Sequence, residues 1–279
     1  MSRDSENVSP RKPRDDEIDV YGISDRGKVR PDNQDQFLLA SVHKHMQLLQ
    51  TSLSAQQRLP LGDERVAFIA MVADGVGGGT GGEEASATAL EVATRYLTSS
   101  VDCYYRSDAR EDQFFQVLQD AAHRAHEGVL SRAEARTDRH RSMATTLTVW
   151  MGVWPWHYLL QVGDSRYYIY RDGKLAQITR DQTMAQDLVD QGVLSKTSAH
   201  RSQFANVLSS AIGGPNTAPV VTRIPANWNN VHLLCTDGLT KHVSDDQIAA
   251  RLGRMTSAKQ VCEQLLQDAL DGGGTDNVT

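Results

Sequence analysis

Four aspartates in this chain share one context. Asp74, Asp164, Asp237 and Asp276 each sit at the edge of an apolar, strand-like run, beside glycine or a polar turn. A lone carboxylate at the rim of a core is costly to desolvate unless a cation neutralises it. Several carboxylates around one point repel one another, so divalent ions are needed to assemble them. Oxygen-only ligation suits Mg²⁺ or Mn²⁺ rather than zinc, which favours His and Cys. Two such ions roughly 3.5–4 Å apart can activate a bridging water and clamp a phosphoryl group. Arg30 and Asp35 flank the turn-rich stretch Arg30-Pro31-Asp32-Asn33-Gln34-Asp35. A guanidinium there could hold phosphate oxygens as a fork, next to a further carboxylate. The chemistry that these residue types allow is metal-assisted hydrolysis of a phosphate ester. Spacing alone leaves the bland alternatives open: a surface ion pair of Arg30 with Asp35, and ordinary Asp-Gly turns.

The elements that must position these groups can be read around Val66–Ser86. Val66-Ala67-Phe68-Ile69-Ala70-Met71-Val72-Ala73 is an unbroken apolar run and reads as a buried strand ending at Asp74. A glycine cluster follows, and then Ala85, Ala89, Ala93 and Leu97 recur at every fourth residue, one face of a helix. Phe114, Val117, Leu118, Ala121, Ala122, Ala125 and Val129 mark a second amphipathic helix. Asp19–Ile23 and Gln36–Ala40 read as strands. Met143–Met151, Trp156–Val162, Arg166–Arg171 and Lys174–Ile178 are short strands with close turns, which predicts an antiparallel meander. Val220–Ile224 and Val231–Cys235 complete the set. Ser41 to Glu64 is a long hairpin insertion, and its His43 and His45 have no third metal ligand nearby. Thr179 to Asn206 is a polar, mobile flap containing His200. Ser244…Gln247 is a capping box with Val243 and Ile248 as a hydrophobic staple, and Ser257…Gln260 repeats the box.

Composition narrows the class. The chain has 279 residues, 39% of them hydrophobic, and a formal charge of −6, which argues against nucleic acid as a partner. Cys103, Cys235 and Cys262 form neither a zinc pattern nor a disulfide framework, so a reducing, cytoplasmic compartment is expected. The charged stretch Met1–Glu17 carries no apolar signal region and reads as a disordered tail. No run approaches the ~20 apolar residues of a membrane span. With no repeat and no linker, residues 18–279 are expected to form one domain, and the protein to act as a monomer.

Several motifs, taken in order, resemble those of the metal-dependent serine/threonine protein phosphatases of the 2C type (the PPM family), particularly its bacterial members. They are Gly27…Arg30…Asn33-Gln34-Asp35, Val72-Ala73-Asp74-Gly75-Val76-Gly77-Gly78, Gly82-Glu83-Glu84-Ala85-Ser86, Ala144-Thr145-Thr146-Leu147, Val162-Gly163-Asp164-Ser165-Arg166, Asn206-Val207-Leu208-Ser209, Cys235-Thr236-Asp237-Gly238-Leu239 and Asp276-Asn277-Val278-Thr279. The resemblance implies an α+β fold, a four-layer α-β-β-α sandwich with two central antiparallel sheets. It implies hydrolysis of phosphoserine and phosphothreonine in proteins by a water activated between two divalent ions, with a cognate kinase as a partner. Asp74 resembles the carboxylate bridging two metals, Mn²⁺ or Mg²⁺, and the Gly75 carbonyl a ligand of the second. Asp237 and Asp276 match ligands of the first, and Asp164 matches a ligand of a third, weaker metal. Arg30 matches the phosphate-binding arginine, and Asp35 an acceptor that orients water.

The sequence also departs from the family pattern. Gln34 replaces a metal-binding Glu of many eukaryotic relatives. Val76 stands where some relatives have a His proposed as general acid, and Ala144 replaces a Gly. The family continues its final strand past the position of Thr279. Two rivals fit less well. The run Gly77–Gly82 satisfies GxGxxG, but the residues after it stay helical instead of reaching a second strand with an acidic end. A catalytically weak pseudophosphatase acting as a binding module would be expected to lack one of the core aspartates, all of which are present.

Overall fold

The computed structural model describes residues 11–45, 50, 63–77, 80–100, 111–135, 143–199 and 202–279. Cys103, Gly78 and Gly79, the 139–142 loop, His200 and most of the 41–64 insertion lie outside them.

The strands follow the apolar pattern. β1 (Asp35–Lys44) roughly alternates between more and less buried positions, and β2 (Glu64–Val76) is continuously buried from Ile69 to Ala73. The two pair antiparallel, with Asp35 opposite Asp74. Asp74 is therefore not the residue that ends its strand. β2 runs two residues further, where Gly75 and Val76 pair with β3 (Ala144–Thr145).

Helix α1 (Thr80–Ser99) begins before Gly82, and Ala85, Ala89 and Ala93 have no exposed surface. Their small side chains let the helix lie close on the sheet. α2 (Glu111–Glu134) packs beside it through Leu118, Ala121, Ala122, Ala125 and Val129. β4 (Leu147–Val153) and β5 (Trp156–Val162) extend the first sheet, and β6 (Arg166–Arg171) and β7 (Lys174–Gln177) belong to the second. The expected meander therefore breaks after Val162, because the Gly163–Ser165 turn carries the chain from one sheet to the other. The flap holds α3 (Met184–Asp190) and α4 (Lys196–Ala199), and is tied at its base by a bridge between Thr183 and Leu208.

β8 (Val220–Pro225) closes the first sheet in the order β1-β2-β4-β5-β8, and β9 (Val231–Cys235) lies beside β6 in the second. α5 (Asp237–Thr240), α6 (Asp245–Leu252) and α7 (Ala258–Asp271) cover that second sheet, with Ile248, Leu252, Val261, Leu265 and Ala269 buried. Two antiparallel sheets with helices outside give the expected sandwich. The capping box at Ser244 forms in full. At Ser257 only half of it forms, because the Gln260 side chain accepts from Thr256 N instead.

Two further expectations need correction. Asp19–Ile23 forms no strand, and the β-bridge nearest to it is made by Asp25, just beyond the stretch, with Val278. The second half of the expected tail is held against the fold. Arg65 bonds Asp15 and the Pro13 carbonyl, and Trp228 Nε1 donates to the Arg11 carbonyl under the Arg11 guanidinium.

Between the sheets, Trp150, His157, His232 and Tyr167 form one ring cluster, with His157 and His232 centroids 4.8 Å apart. Burial lowers His157 to about 3 and His232 to about 4. Both folded-state values lie below the ordinary one near 6.5, so the unfolded chain binds more protons in that interval. Stability is whole above pH ~6.5 and declines as pH falls through it. His157→Phe, which breaks no hydrogen bond at the unpartnered Nδ1, is expected to flatten this acid limb. Chemical denaturation at pH 7 and pH 4.5 measures it: wild type loses more stability over that interval than the variant.

Candidate metal-dependent active site

The carboxylates meet where the ends of both sheets converge. Asp74 is fixed through its backbone. Its N–H donates to Thr146 Oγ1 at 2.9 Å, and its carbonyl accepts from Thr146 N and Thr145 Oγ1, each at 2.9 Å. Thr146 Oγ1 in turn shares a 2.7 Å hydrogen bond with Ser165 Oγ, next to Asp164. The Ala144–Leu147 and Val162–Arg166 motifs are thus two halves of one support.

Gly75 N donates to the Gln34 carbonyl at 3.2 Å, and that carbonyl also accepts from Ser86 Oγ at 2.6 Å. A side chain at Gly82 would meet Gln34 Oε1 at 2.4 Å and the Gly75 carbonyl at 2.8 Å. The glycine is what lets the start of α1 press onto the strand end and the Gln34 turn.

Asn277 ties the last acidic residue to the first turn. Its side chain accepts from Gln34 N and donates to the carbonyls of Arg26 and Asp32, all at 2.9 Å. Gly27, at φ +76°, lies so close that a Cβ there would meet the Asp276 carbonyl at 2.1 Å.

The electrostatics follow from this convergence. Asp74 is raised well above its ordinary value by burial first, and then by the charges of Asp35, Asp237, Asp164 and Asp276. Asp164 is pushed up to about 7 by burial and by Asp237. Asp35, 2% exposed, is raised to about 7 by burial, although the Thr236 hydroxyl donates to its Oδ2 at 2.8 Å. For Asp276 burial works upward too, but hydrogen bonds from Lys241 and Arg30 outweigh it, and its value falls. Every residue singled out by the sequence, namely Arg30, Asp35, Asp74, Gly75, Asp164, Asp237 and Asp276, thus lies in this one neighbourhood.

Among the described residues no three acidic, His or Cys side chains stand as a finished metal cage. Cations of the protein itself occupy the carboxylates instead. Lys241 Nζ is 2.6 Å from both Asp237 Oδ2 and Asp276 Oδ2, and Arg30 Nε is 2.7 Å from Asp276 Oδ1. The donor set fits a hard divalent ion nonetheless. It is all oxygen, and Asp35 Oδ1 and Asp237 Oδ1 are buried without a hydrogen-bond partner. Away from this site, His43 is engaged by Asp63 and Ser41.

Sequence reasoning missed Lys241, Thr236 and the clamping role of Asn277. Lys241 has a local signal, its position four residues after Asp237 on a helical turn. Nothing in one sequence marks the other two as partners of residues more than two hundred positions away.

A family profile described as Protein phosphatase 2C matches residues 56–271. The serine/threonine protein phosphatase PstP of Mycobacterium tuberculosis is 31% identical over 256 residues, 92% of this chain and 43% of that protein. The chain therefore spans less than half the length of that relative. The crystal structure of M. tuberculosis PstP/Ppp superposes with a TM-score of 0.72 at 29% identity, over 92% of this chain and 93% of that one. The catalytic domain of PstP in complex with two manganese ions does so with a TM-score of 0.69 at 29% identity, with the same coverage of both.

Because the folded Asp164 titrates above its unfolded value of about 3.8, its contribution to stability is present below pH ~4 and is lost as pH rises toward 7. Asp164→Asn is therefore expected to raise the melting temperature of chelator-treated protein. The gain should be larger at pH 8 than at pH 5, which a pair of thermal melts can read.

Proposed function

The chain belongs to the protein phosphatase 2C family, and from that premise we propose that this site hydrolyses phosphoserine and phosphothreonine in proteins, with Mn²⁺ or Mg²⁺ held by its aspartates. One observation carries the reading: carboxylates from segments remote in sequence share one field, and two of their buried oxygens are unpartnered. Asp74, Asp237 and Asp276, with the Gly75 carbonyl, are the groups assigned to two ions, and Asp164 with Asp237 to a third. When bound, the ions supply Lewis-acid activation of water and neutralise charge on the phosphoryl group.

The chain's own groups do the remaining work. Arg30, exposed at the mouth of the site, releases Asp276 and turns its fork to the phosphate oxygens, where it stabilises charge developing in flight. Asp35 Oδ1, free to accept, orients the attacking water, while Thr236 holds Oδ2. The Thr146–Ser165 pair keeps the Asp74 backbone in register. Val76, exposed at the end of β2, has no proton to give, so the leaving alkoxide takes its proton from water.

Phosphorylated proteins are the proposed substrates and a Ser/Thr kinase the opposing partner, with residues 18–279 acting as a monomeric catalytic domain. A cytoplasmic setting is supported by free Cys235 and Cys262. No helix among the described residues is long and apolar enough to cross a membrane. The 179–206 segment is the element proposed to choose among peptides.

Asp74→Asn should abolish Mn²⁺-dependent hydrolysis of a phosphothreonine peptide while circular dichroism stays native. A variant retaining half of the wild-type rate would reject the assignment and favour a site that only binds. Arg30→Ala should raise KM and lower kcat together, lowering kcat/KM by about 100-fold. Steady-state kinetics showing an unchanged KM would remove Arg30 from phosphate binding.

A further inference from the structure

Lys241 matches no motif, yet its ammonium stands where Asp237 and Asp276 converge, 2.6 Å from an oxygen of each. Its reach is built into the backbone. Lys241 caps the C-terminal end of α5, its N–H donates to the Asp237 carbonyl at 2.8 Å, and it lies four residues after the acid that it grips. The side chain is 28% exposed, so it borders solvent into which it could be displaced.

The grip is also incomplete. Asp237 Oδ1 keeps no partner, and Asp276 needs Arg30 on its other oxygen, with Nε 2.7 Å from Oδ1. A monovalent ammonium thus answers only part of a carboxylate set that a divalent ion would answer in full.

We propose that Lys241 is a placeholder cation. In the metal-free protein it holds Asp237 and Asp276 together against their mutual repulsion, and a divalent ion must displace it to reach the same oxygens. The inference rests on the reading of this site as a divalent-cation site and adds a competitor to it. Two charge-assisted hydrogen bonds must break before the metal is seated, so the apparent metal affinity is lower than the carboxylates alone would give. In return, the site is assembled before metal arrives, instead of being splayed by like charge. A dication wins the exchange because it carries twice the charge and approaches oxygen to ~2.0–2.2 Å, inside the reach of an ammonium.

The test is Mn²⁺ titration by isothermal calorimetry of wild type, Lys241→Gln and Lys241→Arg, with the free Mn²⁺ resonance as a second readout of uptake. Lys241→Gln is expected to bind Mn²⁺ about tenfold more tightly than wild type, and Lys241→Arg, which keeps the charge, to stay near wild type. In chelator at pH 8, Lys241→Gln should melt below wild type, and saturating Mn²⁺ should erase the difference. Mn²⁺ binding by wild type with equal or weaker binding by Lys241→Gln would overturn the placeholder while leaving the metal site standing. Absence of Mn²⁺ uptake by both proteins would overturn the metal site and the placeholder together.

Discussion

Repulsion among buried carboxylates is the constraint on which this structure turns. Asp74 feels the charges of Asp35, Asp164, Asp237 and Asp276 inside a poorly solvated recess. Left to themselves these groups would move apart or take up protons. The fold denies them the first option. Each is anchored by backbone geometry: Asp35 and Asp74 as a cross-strand pair, Asp164 on the turn that joins the two sheets, Asp237 at the first turn of a helix and Asp276 beside the Asn277 clamp. Cations provide the alternative to protonation, and Lys241 and Arg30 are the protein's own cations on these carboxylates.

The scaffold is arranged so that the groups touching charge are backed by neutral dipoles. Thr146, Ser165 and Thr236 present hydroxyls to the backbone of Asp74, to each other and to Asp35. A hydroxyl can donate or accept and adds no net charge. It can therefore pin a carboxylate or its backbone without settling the electrostatics, which stay open to a cation. Apart from α5, which carries Asp237 and ends on Lys241, the helices take little direct part. α1 contributes a close, small-residue contact against the strand end, and its Ser86 shares the Gln34 carbonyl with Gly75.

Much of this was legible in the sequence, for identifiable reasons. The apolar run before Asp74 and the alanine stripe after it are strong periodic signals, and both elements formed where that periodicity put them. The carboxylates were legible because each sits beside glycine or a polar turn at the edge of an apolar run. Pairing was harder to read. Asp19–Ile23 has a strand's composition, but a strand needs a neighbour, and the bridge to Val278 is made only further on, by Asp25. The switch of sheets after Val162 was hidden because a tight turn looks the same whether the chain folds back or crosses over. Lys241 was overlooked because a lysine four residues past an aspartate is a commonplace surface pair until its second acid arrives from a distant segment.

The Asn277 clamp has a temporal corollary. It joins carbonyls and an amide from the first turn of the domain to a residue some two hundred and fifty positions later. Translation delivers the later partner long after the earlier ones. While a ribosome is still extruding the sandwich, the Gln34 turn has no clamp and the recess lacks an acid. Only when the stretch around residue 277 has docked are the Gln34 amide and the Arg26 and Asp32 carbonyls held together from the far side.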